Sequence, residues 1–200
     1  MQNSKFKGKI FVISAPSGTG KTTILKELKK EISDIEPIIT YTTRKQRPGE
    51  KNKIDYYFIS QKTFLKKIKE NKFLEWAKVY DNYYGTPKDK VEKVLKKGKK
   101  ILLTLDTQGG RNIKKLFPSA ILIGILPPSF KEQERRIRER KGISEEEIKK
   151  RLKEAKQERK IIFTKYDVRV VNKNLESTIK KIKNIIEKYG KYSNYSIWKI

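Results

Sequence analysis

The chain has 200 residues, 50 of them Lys or Arg against 23 Asp or Glu, for a formal charge of +27, and it contains neither His nor Cys. That length is one domain's worth of chain, enough to bury a core without staples. The missing residue types exclude disulfide frameworks, Cys/His zinc sites, cysteine nucleophiles, histidine bases and Ser-His-Asp triads. What remains is Lys, Arg, Asp, Glu, Tyr, Ser and Thr, a set suited to phosphate chemistry.

Lys5, Lys7 and Lys9 precede a short apolar stretch, Ile10 to Ile13, that runs straight into a glycine-rich turn. It is far shorter than the ~7–15 apolar residues of an export signal, so none is expected and the cytoplasm is the default compartment. The longest apolar run, Ile121 to Leu126, falls well short of the ~20 residues of a membrane span. The basic charge raises nucleic acid as a partner. The lysines are scattered over nearly every polar helix face, from Lys26–Lys30 through Lys62–Lys69 and Lys90–Lys100 to Lys180–Lys188. Dispersal of this kind predicts solvated faces, with nucleic-acid binding non-specific if it occurs at all.

In chain order, Lys9–Ser14 is a predicted buried strand, followed by Ala15-Pro16-Ser17-Gly18-Thr19-Gly20 and a helix over Lys21–Ile32 spaced through Ile24, Leu25, Leu28 and Ile32. Further strands are predicted at Ile101–Leu105, Ala120–Leu126 and Val168–Val171. Helices are predicted at Lys88–Lys97, Gly109–Leu116, Phe130–Arg140, Ser144–Lys160 and Leu175–Tyr189. Strands alternating with helices indicate an α/β fold with a mainly parallel sheet covered on both faces. The stretch from Ile38 to Tyr84, rich in Thr, Tyr and Phe, is expected to be an inserted, more antiparallel piece. Ser129–Lys153 is expected to be a charged helical excursion, with Ser144 to Glu147 as a capping box. The tail after Gly190 has no period and receives no role.

Ala15 to Thr22 matches the phosphate-binding loop pattern except for Ala at its first position. Small residues let successive N–H groups turn around a phosphate, and the helix N-terminus adds its dipole. Lys21 then reaches the β- and γ-phosphates, and the Thr22 hydroxyl coordinates Mg²⁺. Downstream, Arg44 and Arg47 flank a turn, with Tyr56 and Tyr84 further on. Two arginines and two phenols can bind a second phosphate group. Glu75 can accept from the N1–H and N2–H₂ edge of a guanine, a donor pair that adenine lacks.

On Ser14 to Thr22, Thr42-Thr43-Arg44 with Arg47-Pro48-Gly49-Glu50, Asn82-Tyr83-Tyr84-Gly85-Thr86 and Leu126-Pro127-Pro128-Ser129, the chain resembles the guanylate kinases over about residues 8 to 186. The resemblance implies a single domain with a P-loop core over about 8–36, 87–128 and 154–189. It also implies a GMP-binding region over about 37–86, a lid over about 129–153, and a tail of unknown role at 190–200. By resemblance, Ala15, Pro16, Ser17, Gly18, Thr19, Gly20, Lys21, Thr22 and Thr23 bind ATP, with Asn172 where the family contacts adenine. Arg44, Arg47, Tyr56 and Tyr84 hold the GMP phosphate, and Thr40, Glu75 and Thr86 read guanine. Arg136, Arg140 and Arg151 resemble the lid arginines that close on the transferring phosphoryl group.

Thr104 stands where the family has a carboxylate near the acceptor and metal, while Asp106 matches. Glu139 and Lys141 interrupt the usual lid motif, and Lys173 and Asn174 replace an acidic pair. The implied reaction is Mg²⁺-dependent, in-line attack of a GMP (or dGMP) phosphate oxygen on the ATP γ-phosphorus, giving ADP and GDP in purine nucleotide metabolism. The acceptor is already an anion, so no general base is needed. Lys21, Arg44 and the lid arginines neutralise developing charge, and Asp106 orients the hydrated metal. A monomer or homodimer is expected. Two other readings stay open, a non-catalytic guanylate-kinase-like binding module and a related kinase with another acceptor.

Overall fold

Five short strands form the centre of the molecule, and the inner three are almost unbroken runs of buried apolar residues, as expected where both faces of a sheet are covered. The computed structural model describes residues 7–79, 81–139 and 144–190. The central strands are β1 (Lys9–Ser14), β2 (Ile35–Pro37), β7 (Lys100–Thr104), β8 (Ile121–Leu126) and β9 (Val168–Val171), in the order β2-β7-β1-β8-β9. All the pairings are parallel. Side chains alternate between faces with the strand period of two. Phe11 and Ile13 pack with Ile24 and Leu28 of α1 (Lys21–Glu31) and with Ile179, Ile182 and Ile186 of α7 (Leu175–Gly190). Ile10 and Val12 pack instead with Val91 and Leu95 of α3 (Lys88–Lys96), Ile113 of α4 (Thr107–Leu116) and Ile162 of α6 (Glu145–Lys165). The chain leaves β1 toward β2 and returns to its other side with β8. The end of β1 is therefore a topological switch point, where open α/β sheets bind ligands.

A second sheet follows the order β4-β3-β6-β5, from β3 (Tyr41–Thr42), β4 (Tyr57–Phe58), β5 (Phe73–Val79) and β6 (Asn82–Pro87). Its β3–β6 and β5–β6 pairings are antiparallel, as expected, but β3 and β4 run parallel. The insert also holds a helix that periodicity did not single out, α2 (Gln61–Lys69), N-capped by Ser60, whose Oγ accepts from Thr63 N at 3.1 Å. Its one fully buried side chain, Phe64, stacks between Phe73 and Tyr83 with centroids 4.5 and 5.4 Å away. That aromatic packing, rather than a long apolar face, secures the helix.

In the second excursion, α5 (Phe130–Arg138) is capped by Ser129, and α6 by Ser144, whose Oγ accepts from Glu147 N at 3.2 Å. α6 does not stop at Lys160 but runs to Lys165. The added turn buries Ile162 fully against Gly124, where any Cβ would collide with it. α4 likewise starts two residues before Gly109, because Asp106 caps it. Arg140, Lys141 and residues 191–200 lie outside the described residues.

Candidate active site

The turn after β1 bends through Gly18 (φ +80°) and Gly20 (φ +90°), both in the left-handed region that favours glycine. Gly20 is the N-cap of α1 and offers no side chain to satisfy the helix's first N–H groups, which leaves them for an anion. Ala15, Pro16, Gly18 and Thr19 are buried, Ser17 and Lys21 half-buried, and Gly20, Thr22 and Thr23 exposed. The predicted donor loop thus has a buried back and an open mouth. Asn172, placed at adenine by resemblance, lies against this loop. Its Nδ2 donates to Thr19 O at 2.8 Å, and its Oδ1 accepts from Thr178 Oγ1 at 3.0 Å.

Asp106 stands at the carboxyl end of β7, two residues beyond half-buried Thr104. Its Oδ1 accepts from Gln108 N and Gly109 N at 2.7 and 3.0 Å. Its carbonyl accepts from Ser14 Oγ at 3.2 Å, and Ser14 Oγ accepts from Tyr166 OH at 2.6 Å. The phenol is raised well above its ordinary pKa, mainly by burial. It occupies the space where a Cβ on Gly110 would stand.

The sequence reading did not single out Ser14, Tyr166 or Glu158 as site residues. The Glu158 carboxyl is pushed up to about 7, chiefly by burial. The Lys21 charge and the Ser17 N–H oppose that rise, while Asp106 and Glu154 add to it. Glu158 follows Arg151 by seven residues on α6, two turns along one helix face, and that spacing was the available signal.

On the second sheet, antiparallel register sets Glu75 opposite Thr86. Thr86 Oγ1 donates to Glu75 Oε1 at 2.6 Å, and the Glu75 residue is 7% exposed. Burial raises this carboxyl to about 7; Thr86 pulls it down and the charge of Asp106 pushes it up. A Cβ on Gly109 would lie 3.0 Å from Glu75 Oε2, so the first turn of α4 walls this pocket closely. Thr40, the residue before β3 of the same sheet, is buried, its carbonyl accepting from Tyr57 N.

Arg44 is gathered with Tyr56 and Tyr84 as predicted. Its guanidinium carbon sits 5.6 Å from the Tyr56 ring centroid, and Tyr84 is near enough to help hold its pKa above the ordinary value. Its NH2 donates to both Glu50 oxygens, at 2.8 and 3.0 Å, and its NH1 to Lys45 O at 2.6 Å. Glu50 also accepts from Arg47 N at 2.9 Å, while the Arg47 side chain is exposed. Burial alone would raise the Glu50 carboxyl, but the Arg44 and Arg47 bonds outweigh it and hold it below its usual range.

Of the arginines that the resemblance places in a lid, Arg136 donates from Nε to Glu132 at 2.7 Å and from NH1 to Thr19 O at 3.4 Å, so it touches the loop after β1. Arg151 donates from Nε to Glu147 at 2.9 Å, which takes the carboxylate that a capping box would turn back on Ser144. No described helix is long and apolar enough to cross a membrane. Among the described residues, no group of three or more acidic side chains is set to hold a metal.

The guanylate kinase family model matches residues 7–189. A guanylate kinase of Caldanaerobacter subterraneus subsp. tengcongensis is 45% identical over 182 residues, covering 91% of this chain and 88% of that protein. One from Rickettsia prowazekii is 46% identical over 182 residues, covering 91% and 92%. The crystal structure of guanylate kinase from Anaplasma phagocytophilum superposes with a TM-score of 0.79 at 32% identity, covering 94% of this chain and 89% of that one.

Proposed function

The chain belongs to the guanylate kinase family, and from that premise we propose how its own residues carry out the transfer of the ATP γ-phosphate to GMP. The observation that carries the assignment of sites is the position of Asp106. Its Oδ1 accepts from Gly109 N, where a Cβ would lie 3.0 Å from Glu75 Oε2 on the acceptor side, and its carbonyl accepts from Ser14 Oγ at the start of the donor loop. Asp106 therefore stands between the two sites that have to meet.

Glu75 accepts from the guanine N1–H and N2–H₂ edge, with Thr86 fixing one of its oxygens and Thr40 completing the pocket. Arg44, Arg47, Tyr56 and Tyr84 hold the GMP phosphate, leaving one phosphate oxygen aimed at the donor. Loop N–H groups and Lys21 hold the ATP phosphates. Arg136 and Arg151, with Arg140 from outside the described residues, close on the equatorial oxygens and exclude water. The acceptor phosphate is an anion, so positioning and charge neutralisation supply the rate.

A hydroxyl at Thr22 and the carboxylate of Asp106 are hard oxygen donors, the kind Mg²⁺ takes beside substrate phosphates. Asp106 commits Oδ1 to α4 and keeps its charge between the two sites, so the residues fit the ion. Thr22 would hold it directly and Asp106 through water; bound there, Mg²⁺ neutralises phosphate charge and orients the donor. The residues assigned to the acceptor contact base and phosphate and none is assigned to the ribose, so dGMP is accepted too; the compartment proposed is the cytoplasm. The test is ATP-dependent diphosphate formation across GMP, dGMP, AMP, UMP and TMP. Guanine acceptors are expected to dominate, and Lys21→Ala to lose at least about a hundredfold in turnover. Near-normal turnover in Lys21→Ala would sink the scheme.

A further inference from the structure

The donor loop is gripped from outside by a side chain that the reaction itself does not require. Gln133 of α5 is fully buried, and its Nε2 donates to Ser17 O at 2.7 Å. Asn172 holds a second loop carbonyl, Thr19 O. In a planar trans peptide the carbonyl and the following N–H point in opposite senses. Drawing Ser17 O toward α5 therefore turns the Gly18 N–H the other way, and drawing Thr19 O toward Asn172 does the same for Gly20. Successive N–H groups preset in this manner make an anion cradle before any anion arrives.

The packing leaves little slack in this grip. A Cβ on Gly18 would lie 2.9 Å from both Gln133 O and Ile137 Cγ1, so loop and helix are in close contact. Arg136, three residues along α5, reaches Thr19 O from the same helix. The Gln133 Oε1 is buried with no hydrogen-bond partner among the described residues. Leaving it so is costly, and a position needing only to fill space would be served better by an apolar residue of the same length. The amide's bond to Ser17 O is what offsets that cost.

We propose that Gln133 is a positioning residue for the donor nucleotide: it presets the phosphate loop through the Ser17 carbonyl and ties that loop to the helix carrying Arg136. This rests on reading residues 15–22 as the cradle for the ATP phosphates. The full-length chain with Gln133→Met keeps the length and burial of the side chain and removes the donor. Gln133→Glu keeps the shape and sets an acceptor against the Ser17 carbonyl.

Binding of a non-hydrolysable ATP analogue with Mg²⁺ is measured by calorimetry, alongside KM for each substrate. The loss of one net hydrogen bond predicts that Gln133→Met weakens the analogue and raises KM for ATP by about fivefold. KM for GMP and kcat stay within about twofold, and Gln133→Glu weakens the analogue at least as much. Wild-type affinity in Gln133→Met overturns the proposal, and so does an equal rise in both KM values, which marks general loosening. Failure of both variants to fold would assign the amide to the core and overturn it as well. Lys21→Ala separates the two levels. If it binds the analogue normally, the reading of the loop fails; if it loses binding while Gln133→Met does not, only the positioning role fails.

Discussion

In the proposed scheme Glu75 is the residue at which guanine recognition and proton release meet. In the free protein its carboxyl titrates at about 7 instead of 4.5, because burial removes water from the charged form. Guanine supplies two N–H donors that favour that charged form, so GMP binding pulls the proton off. With a free-state value of about 7, GMP binding at pH 6 releases about 0.9 proton from Glu75, and at pH 8.5 almost none. Affinity for GMP falls by about tenfold between pH 7.5 and pH 6 through this group.

The same shift has a cost for folding. The folded state keeps a proton that the unfolded chain loses near 4.5, so the stabilisation is full below that pH and is lost as pH rises through about 7. A rise of roughly 2.5 units corresponds to about 3 kcal/mol. Glu75→Gln removes the titration and is predicted to be more stable than the parent by about that amount at pH 8, with no advantage at pH 4.5.

The assay is calorimetry of GMP binding in buffers of different ionisation enthalpy, for the parent and Glu75→Gln. The variant corrects for titration of the nucleotide phosphate and for Glu158, which titrates in the same window. Equal proton release in both proteins, or a Glu75→Gln variant that is less stable at pH 8, would refute the argument.

Two further substitutions test neighbouring geometry. Gly109→Ala places a methyl 3.0 Å from Glu75 Oε2; it is predicted to raise KM for GMP about tenfold while KM for ATP stays put, which steady-state kinetics with each substrate varied would check. Tyr166→Phe removes the hydroxyl that Ser14 accepts from and frees Ser14 Oγ, and through it Asp106, to shift. It is predicted to lower kcat about fivefold with a melting-temperature loss of only a few degrees, and an unchanged kcat would count against any role for that chain of bonds.

Four of the five core strands were legible because their signals are local and redundant; edge strand β2, Ile-Glu-Pro with only Ile35 buried, carries no such signal. Apolar runs such as Ile121–Leu126 are too short and too dry to be anything but covered strands, and the glycine turn after Ser14 announces both the loop and α1. α2 was not legible, because its security comes from Phe64 stacking on Phe73 and Tyr83, contacts that only the second sheet creates. The family resemblance supplied Arg44, Glu75, Thr86 and Arg136 by position. It was silent on Gln133, Tyr166 and Glu158, which act through a loop carbonyl, a serine hydroxyl and a lysine charge brought near by tertiary packing. A side chain that works through another residue leaves no pattern of its own in a single sequence.

Glu50 shows what such an indirect role entails for the acceptor phosphate. It stands half-buried beside Arg44, side chains 15% and 13% exposed, and accepts from Arg44 NH2 with both of its oxygens. A carboxylate beside a phosphate site repels the ligand, so Glu50→Gln would tighten GMP if repulsion were the larger effect. Against that stand the Arg44 bonds, the bond from Arg47 N, and a turn in which Glu50 N donates to Arg47 O while Gly49 takes φ +81°. These hold the whole segment from 44 to 50, and with it the direction in which the guanidinium faces. Removing one partner of a half-buried, charge-assisted pair costs about 1–3 kcal/mol, whereas repulsion between two anions already neutralised by Arg44 is smaller. Orientation therefore wins, and Glu50→Gln is expected to raise KM for GMP about tenfold with kcat/KM for ATP little changed. A variant that binds GMP more tightly than the parent would reverse that ranking and make Glu50 a competitor for Arg44 instead of its support.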